Sequence, residues 1–215
     1  MANRPVFRTF ETAPFYAQYD TEFEFFPGFS LAQKQRCIVS LHDSFRRRFP
    51  GEKILEISSK SAEPLGVSLS AFNLTLDTAS YGPKSVETLY QASKVFRDDK
   101  DNLEILDMTP AEAKQYIRSI ANTPLKCFRL EGQEFPLRPN ILFYNWLYLR
   151  ALSQHPELGE PLMEYTAFTD IVFNPNRSLN CQARAAAVYV GLVKNGLLEA
   201  ALESPESFLK IAFHR

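Results

Sequence analysis

Apolar residues recur at helical spacing along much of the chain, and this pattern predicts a series of helices. The clearest is Leu31–Arg48, in which Ile38, Leu41 and Phe45 form one apolar stripe and Ser30 can act as the N-cap. The other predicted helices are Ser85–Phe96, Pro110–Ala121, Ile141–Ser153, a short helix from His155 to about Tyr165, Asn180–Val193 and Pro205–Ala212.

Alternating or β-branched segments predict short strands at Glu22–Phe26, Lys53–Ser58, Val67–Leu76 and around Pro124–Leu130. Residues 1–30 are otherwise broken by prolines and rich in aromatic side chains, so we expect an irregular arm there. The sequence therefore predicts a mainly α fold with a few short β-strands, forming a single compact domain. In it, residues 1–60 would be an N-terminal aromatic arm plus a helix that pack on a core domain of residues 61–215, the two parts forming one globular unit.

Composition narrows the classes of partner. The 215 residues include 24 basic and 25 acidic side chains, a net charge of -1, so there is no global electrostatic case for nucleic acid. The run Arg46–Arg48 remains either a solvated helix end or a local phosphate contact. The 18 Phe and 9 Tyr residues suit an apolar core and equally a pocket that stacks a planar base.

Cysteine and histidine usage argues against metal sites and disulfides. The three cysteines are far apart and form no CxxC motif, and His42, His155 and His214 are isolated, so each histidine is expected at the surface or satisfied by hydrogen bonds. We expect no metal and no cofactor. The first ten residues lack the apolar run of a signal peptide, and no segment is long and apolar enough to span a membrane, which predicts a cytoplasmic protein.

The most informative segment is the predicted helix Ser85–Phe96. Glu87, Gln91 and Lys94 follow one another at i, i+4 and i+7, so one stripe carries an acid, an amide and an amine. Two interpretations stay open: an ordinary solvated face, or a site on which the three groups converge.

Further candidates lie on other elements. Ser59 and Lys60 follow the strand Lys53–Ser58 and could bind an anion or form a polar turn. Asp170 interrupts an apolar segment, so it is either exposed or buried for a purpose. Trp146, the only tryptophan, suits the core or a pocket wall, and Asn73 within a predicted strand suggests local hydrogen bonding.

Several of these segments, in this order, resemble the NADAR family (NAD- and ADP-ribose-associated proteins) over about residues 65–195. The resemblance is carried by Leu69-Ser70-Ala71-Phe72, Ser85-Val86-Glu87, Tyr90-Gln91-Ala92-Ser93-Lys94-Val95-Phe96, Pro110 with Ala113-Lys114 and Arg118, Ala151-Leu152 with Gln154-His155-Pro156-Glu157-Leu158, and Asp170 before the Asn180 helix. The chain resembles a divergent member. Thr88 stands where the family has His, Ala71 where it has Asn, and Phe173-Asn174-Pro175 where it has Trp-Gly.

The resemblance implies an N-glycosidase, because family members remove ADP-ribose from modified guanine bases or cleave phosphoribosyl intermediates of the riboflavin pathway. It implies a catalytic carboxylate, for which Glu87 is the first choice and Asp170 the second, and it implies Lys94 as a phosphate contact or an attacking amine. The implied substrate-binding set is Ser59, Lys60, Lys114 and Arg118 for phosphate, Gln91 and Asn73 for ribose, Tyr90 or Trp146 for the base, and Ser70, Phe72, Asn180 and Gln182 beside them.

The partners implied are a small-molecule nucleotide or an ADP-ribosylated nucleic acid as substrate, and a toxin or defence-system protein. Two other functions remain open. The same pocket could bind ADP-ribose or a nucleotide without cleaving it, as a sensor or an antitoxin-type partner. Alternatively, the chain could be an interaction domain with a solvated Glu/Lys face.

Overall fold

The computed structural model describes residues 1–121, 123–176 and 178–213. The strands are β1 (Ala2–Thr9), β2 (Tyr16–Phe23), β3 (Ile54–Glu56), β4 (Thr75–Thr78), β5 (Gly82–Ser85), β6 (Lys94–Phe96), β7 (Leu125–Leu130), β8 (Gln133–Phe135) and β9 (Ala167–Thr169). The helices are α1 (Leu31–Arg48), α2 (Pro64–Ser68), α3 (Val86–Ala92), α4 (Pro110–Ile120), α5 (Leu142–Ser153), α6 (Pro156–Leu162), α7 (Gln182–Lys194), α8 (Leu198–Leu202) and α9 (Pro205–Phe213), with a 3-10 helix at Leu103–Asp107.

The fold is mixed α/β, so the prediction of a mainly α protein is wrong. Over the described residues, 44% of the chain is helical and 20% is in strands. The strands form three sheets, with the orders β2-β1-β9-β3, β4-β5 and β6-β7-β8. The strand content was underestimated because most strands are only three or four residues long, and because β1 and β3 pair with β9, which is distant from both in sequence.

The four-stranded sheet corrects the prediction for the first 30 residues. β1 and β2 pair antiparallel from Ala2 opposite Phe23 to Thr9 opposite Tyr16, so this segment is a regular strand pair and not an irregular arm. β9 then joins β1 antiparallel and β3 parallel, so the sheet combines strands from both sides of residue 60. The division of the chain at that residue remains a prediction.

Apolar clusters cover both faces of this sheet. Helix α1 packs on one face through Ile38, Leu41 and Phe45, as its stripe predicted, and the Ser30 side chain accepts the Gln33 N–H at its N-terminus. The larger core lies on the opposite face, where α5 and α7 are buried along most of their surface. Those two helices are apolar nearly all round, which suits a position at the centre of the domain.

Two other predicted elements differ in the structure. The segment Val67–Leu76 was predicted as a strand, but α2 extends to Ser68 and turns follow until β4 begins at Thr75. Distant groups satisfy its backbone there: the Tyr148 hydroxyl donates to the Leu69 carbonyl at 2.7 Å, and the Ala71 N–H donates to the Gln182 side chain at 2.8 Å. These bonds replace those that a neighbouring strand would supply.

The helix predicted for Ser85–Phe96 is also shorter than expected. It ends at Ala92, and Lys94–Phe96 forms β6, which pairs with β7. The Ser93 carbonyl accepts the Arg129 N–H at 2.7 Å, so the chain leaves the helix to join the sheet. The other predicted helices and the strands at Lys53–Ser58 and Pro124–Leu130 are confirmed, with ends that differ by a few residues.

Candidate active site

Helix α3 supplies the first residues of the candidate site. The Ser85 hydroxyl accepts the Thr88 N–H at 3.0 Å and donates to the Thr88 hydroxyl at 2.9 Å, which caps the helix, and Thr88 is buried. Glu87 lies in the first turn, where the helix dipole favours a carboxylate. Its own N–H donates to the Ala71 carbonyl at 2.8 Å, so the turn at Leu69–Phe72 fixes the backbone of Glu87.

Glu87, Gln91 and Lys94 form one hydrogen-bonded line. Gln91 Nε2 donates to Glu87 Oε1 at 2.8 Å, and Lys94 Nζ donates to Gln91 Oε1 at 2.6 Å. Glu87 and Gln91 are buried, so the stripe is not a solvated face. Lys94 still reaches Gln91 from β6 because the chain passes directly from α3 into that strand.

Lys114 on α4 approaches the same carboxylate, and Arg118 on that helix acts on Lys94. Lys114 Nζ lies 3.5 Å from Glu87 Oε1, and its side chain is 43% exposed. Burial lowers the pKa of Lys94 from 10.5 to about 8, against the attraction of Glu87, and the positive charges of Lys114 and Arg118 lower it further. Lys94 and Lys114 thus lie near Glu87, and the charge of Arg118 reaches Lys94, an excess of positive charge that favours an anionic ligand.

Aromatic rings form one wall of the site. Lys94 Nζ lies 4.8 Å from the centre of the Tyr90 ring, and the Asn180 amide donates to the Tyr90 hydroxyl at 2.6 Å. Burial, with the charge of Glu87, raises the pKa of Tyr90, which keeps the phenol neutral. Lys114 Nζ lies 5.6 Å from the centre of the Phe72 ring, so the half-exposed pair Lys114 and Phe72 marks the solvent side.

Asp170 is the second predicted carboxylate, and it is only 9% exposed. Its Oδ1 accepts the N–H groups of Val172 and Phe173, each at 3.0 Å. Burial, and after it the neighbouring Glu56, raises the pKa of Asp170 to about 8. Asp170 was expected to be either exposed or held for a purpose, and the structure shows it buried.

Gln182 and Tyr144 lie close to Asp170. Gln182 Oε1 accepts the Ala71 N–H at 2.8 Å, Gln182 Nε2 donates to the Ile57 carbonyl at 2.6 Å, and the Gln182 side chain helps to lower the pKa of Asp170 against the effect of burial. Burial raises the pKa of Tyr144, and the charge of Glu87 and, more weakly, that of Asp170 add to this effect. Tyr144 is therefore within electrostatic reach of both.

Other predicted residues lie in different surroundings. Asn73 is exposed and donates to the Val67 carbonyl at 2.8 Å, within its own turn. Trp146 is buried in the larger apolar core, where the centre of its ring lies 4.8 Å from the centre of the Phe135 ring. Ser70 is buried, and Ser59 is exposed. The Lys60 N–H donates to the Ser58 hydroxyl at 3.1 Å in the turn after β3.

The isolated histidines are satisfied where the structure describes them. His42 Nε2 lies 2.8 Å from Thr169 Oγ1, and His155 Nε2 lies 3.0 Å from the Thr75 carbonyl, while His214 lies outside the described residues. Within those residues, no group of three or more His, Cys, Asp or Glu side chains has a metal-binding arrangement, and no helix is long and apolar enough to cross a membrane.

Two cavities on the described surface lie away from the candidate site around Glu87. One, of about 150 Å³, is lined by Arg8, Glu52 and Lys194 among others, and one of about 370 Å³ is lined by residues of β2 and α1. Neither is lined by Glu87, Lys94 or Asp170. We place the candidate site by its converging ionisable groups, because the line of contacts from Lys114 to Lys94 is continuous there.

One buried acid was not predicted. Glu56 in β3 is 3% exposed and lies beside the turn that begins at Asp170, where its Oε1 accepts the Ile171 N–H at 2.9 Å. The available signal was an acidic residue inside the short apolar strand Lys53–Ser58, followed by serines. That signal alone does not separate a buried acid from one on an exposed strand face.

The comparison with protein families gives the class of protein as NADAR, in agreement with the resemblance of residues 65–195. The chain belongs to the family described as the DarT1-associated NADAR antitoxin, whose model matches residues 2–215. The match also covers the first 60 residues, for which the resemblance offered no counterpart. No curated protein matches the chain.

Proposed function

We propose that this protein is an N-glycosidase that acts as an antitoxin by removing ADP-ribose from a modified nucleobase. The buried line Glu87–Gln91–Lys94, with Lys114 against its carboxylate, carries the proposal. The NADAR family is associated with N-glycosidase activity, and the description of the matched family as an antitoxin associated with DarT1 supports a substrate made by a toxin.

The chemistry requires a carboxylate near the anomeric carbon of the ribose. As the bond from that carbon to the base nitrogen breaks, its electron pair passes to the nitrogen and positive charge develops on the sugar. Glu87 stabilises this charge and takes a proton from the water that adds to the carbon. Gln91 holds Glu87 in one orientation, because its amide is fixed at both ends by Glu87 and Lys94.

The cations give the site its second role, the recognition of the diphosphate of ADP-ribose. Lys114 and Arg118 extend from one face of α4, and Lys114 is the more accessible of the groups that contact Glu87. With a pKa of about 8, Lys94 is a neutral amine in roughly a tenth of molecules at pH 7. It can thus bind phosphate as an ammonium or attack the anomeric carbon as an amine.

The test uses the purified protein with guanine-ADP-ribosylated DNA or RNA and, separately, with phosphoribosyl riboflavin precursors, followed by mass spectrometry. We expect release of ADP-ribose from the modified nucleic acid. Glu87→Gln should slow release by about a hundredfold or more, since it removes the base while keeping the shape. The control is Glu199→Gln, an exposed carboxylate on α8.

Retention of the full rate by Glu87→Gln would remove Glu87 from the mechanism, and failure to release product from any substrate would refute the glycosidase. Borohydride reduction during turnover separates the two roles of Lys94, because only an amine bound to the opened sugar is trapped as a stable adduct.

A second candidate function is an ADP-ribose-binding antitoxin without turnover. The observation that favours it is Thr88, which stands at the position of the family histidine and is buried in the cap with Ser85. Calorimetry with ADP-ribose distinguishes the two functions: saturable binding without any release of product supports the binding module.

A further inference from the structure

Lys114 joins the buried carboxylate of Glu87 to the exposed surface of the protein. Its Nζ lies 3.5 Å from Glu87 Oε1 and 5.6 Å from the centre of the Phe72 ring. The Glu87 side chain is only 8% exposed, whereas the Lys114 side chain is 43% exposed and Phe72 is 39% exposed. The ammonium is therefore the part of this group that a ligand arriving from solvent can draw away.

The contact between Lys114 and Glu87 is looser than the hydrogen bond that fixes the carboxylate. Gln91 Nε2 donates to Glu87 Oε1 at 2.8 Å, but the 3.5 Å to Lys114 exceeds the usual range of about 2.7 to 3.2 Å for N–H···O bonds. An ion pair with one half-exposed partner is weak and exchanges easily. Helix α4 is anchored by the capping box of Thr109 and Glu112, so the ammonium can leave by rotation of the lysine side chain alone.

This contact opposes the reaction proposed for Glu87. Cleavage of the glycosidic bond develops positive charge on the ribose, and the carboxylate is needed to stabilise that charge. An ammonium 3.5 Å from Oε1 already neutralises the carboxylate and repels the developing charge. Lys114 must therefore be drawn away from Glu87, or be neutralised itself, before the carboxylate can act. The negatively charged diphosphate of ADP-ribose is a group that can do this.

We propose that Lys114 is a specificity-determining residue that neutralises Glu87 until the diphosphate of a substrate binds the ammonium instead. The site then acts on sugars that carry phosphate and not on the same sugar without phosphate. This inference rests on the proposed glycosidase function. Arg118, one turn further along α4, is exposed, and the ion pair that the described residues provide for Glu87 is with Lys114. Arg118 can thus attract phosphate without controlling the carboxylate.

The first test measures the binding of inorganic pyrophosphate by calorimetry and needs no turnover. If Lys114 is shared between Glu87 and phosphate, Glu87→Gln releases the ammonium, and pyrophosphate should bind about fivefold or more tightly than to the wild-type protein. The same substitution in the Lys114→Met background should improve binding by less than about twofold, because no ammonium is left to release. The four proteins form a double-mutant cycle.

An equal gain in both backgrounds would overturn the proposal, because the charge of Glu87 would then repel phosphate without acting through Lys114. Absence of pyrophosphate binding from all four proteins would overturn it as well. The matched control is Lys210→Met, which removes an exposed lysine on α9 and should bind pyrophosphate as the wild-type protein does.

The second test compares the same oligonucleotide carrying either ADP-ribose or unphosphorylated ribose on its guanine base. Lys114→Met should lower kcat/KM for the first substrate about tenfold and raise it for the second about fivefold, because Glu87 then lacks its cation. Arg118→Met should lower the first value without raising the second. If Lys114→Met leaves the rate with the ribose substrate unchanged or lower, Lys114 is a plain phosphate contact and the proposal is wrong, whether or not Glu87→Gln folds.

The two tests distinguish this proposal from the proposed function. A gain in pyrophosphate binding that depends on Lys114, in a protein that releases no ADP-ribose, would refute the glycosidase and leave the exchange of Lys114 standing. Release of ADP-ribose that depends on Glu87, without faster release of ribose by Lys114→Met, would support the glycosidase and refute the role of Lys114.

Discussion

Replacing Lys94 by methionine should stabilise the protein at pH 7 while impairing the proposed reaction. The Lys94 ammonium is largely buried, and its pKa falls from 10.5 to about 8 in the folded protein. A difference of this size corresponds to about 3 kcal/mol in favour of the neutral amine. Methionine has a similar length, carries no charge and forms favourable contacts with aromatic rings such as that of Tyr90.

The net gain is smaller than this value because the substitution also removes the hydrogen bond to Gln91. That loss costs about 1 to 2 kcal/mol, so we expect Lys94→Met to be about 1 to 2 kcal/mol more stable at pH 7. Urea unfolding followed by the fluorescence of the single tryptophan, Trp146, measures the difference.

The pH dependence has a definite sign. Between the folded pKa of about 8 and the unfolded value near 10.5, the unfolded chain holds a proton on Lys94 that the folded protein has released. The stability of the wild-type protein relative to Lys94→Met should therefore rise with pH in that interval, and the advantage of the variant should vanish. Lys210→Met, at an exposed position on α9, should differ from the wild type by less than about 0.5 kcal/mol throughout.

The reasoning would be refuted if Lys94→Met were less stable than the wild-type protein at pH 7 by the same amount as at pH 10. The ammonium would then be well paired in the folded state, and its burial would carry no penalty.

Two further substitutions test the supports of the site. Gln91→Leu removes the amide that joins Glu87 to Lys94. It should lower activity at least tenfold in steady-state kinetics and lower the free energy of unfolding by about 1 to 3 kcal/mol in a urea titration. Unchanged activity would contradict a positioning role for Gln91. Gly66→Ala places a Cβ atom 2.0 Å from the Glu56 carbonyl oxygen. We expect the free energy of unfolding to fall by about 2 kcal/mol or more in the same titration. A fall of less than about 0.5 kcal/mol would show that α2 shifts freely to relieve the contact.

The sequence predicts those parts of the molecule that local patterns determine. The helix Leu31–Arg48 has the predicted bounds because its cap and its apolar stripe lie within the same segment. The contacts among Glu87, Gln91 and Lys94 could likewise be anticipated from their spacing, although Lys94 lies in a strand.

The features that local patterns do not determine were missed. The turn at Leu69–Phe72 resembled a strand because its hydrogen-bond partners, Tyr148 and Gln182, lie at least 79 residues away along the chain. Glu56 was overlooked for a related reason: its burial depends on β9, which pairs with β3 only in the folded sheet. Period-2 patterns in strands of three residues are too short to indicate which face is buried.

The order of the strands in the four-stranded sheet also bears on how the protein can be made. β1 leaves the ribosome well before β9, its second neighbour in the sheet, which is synthesised about 160 residues later, a delay on the order of ten seconds. Until then, the β1–β2 pair has a free edge, and contacts of such high sequence separation form slowly. A nascent chain that has completed Glu87, Gln91 and Lys94 still lacks Asp170 and Gln182, so the complete set of groups can assemble only after residue 182 has been synthesised.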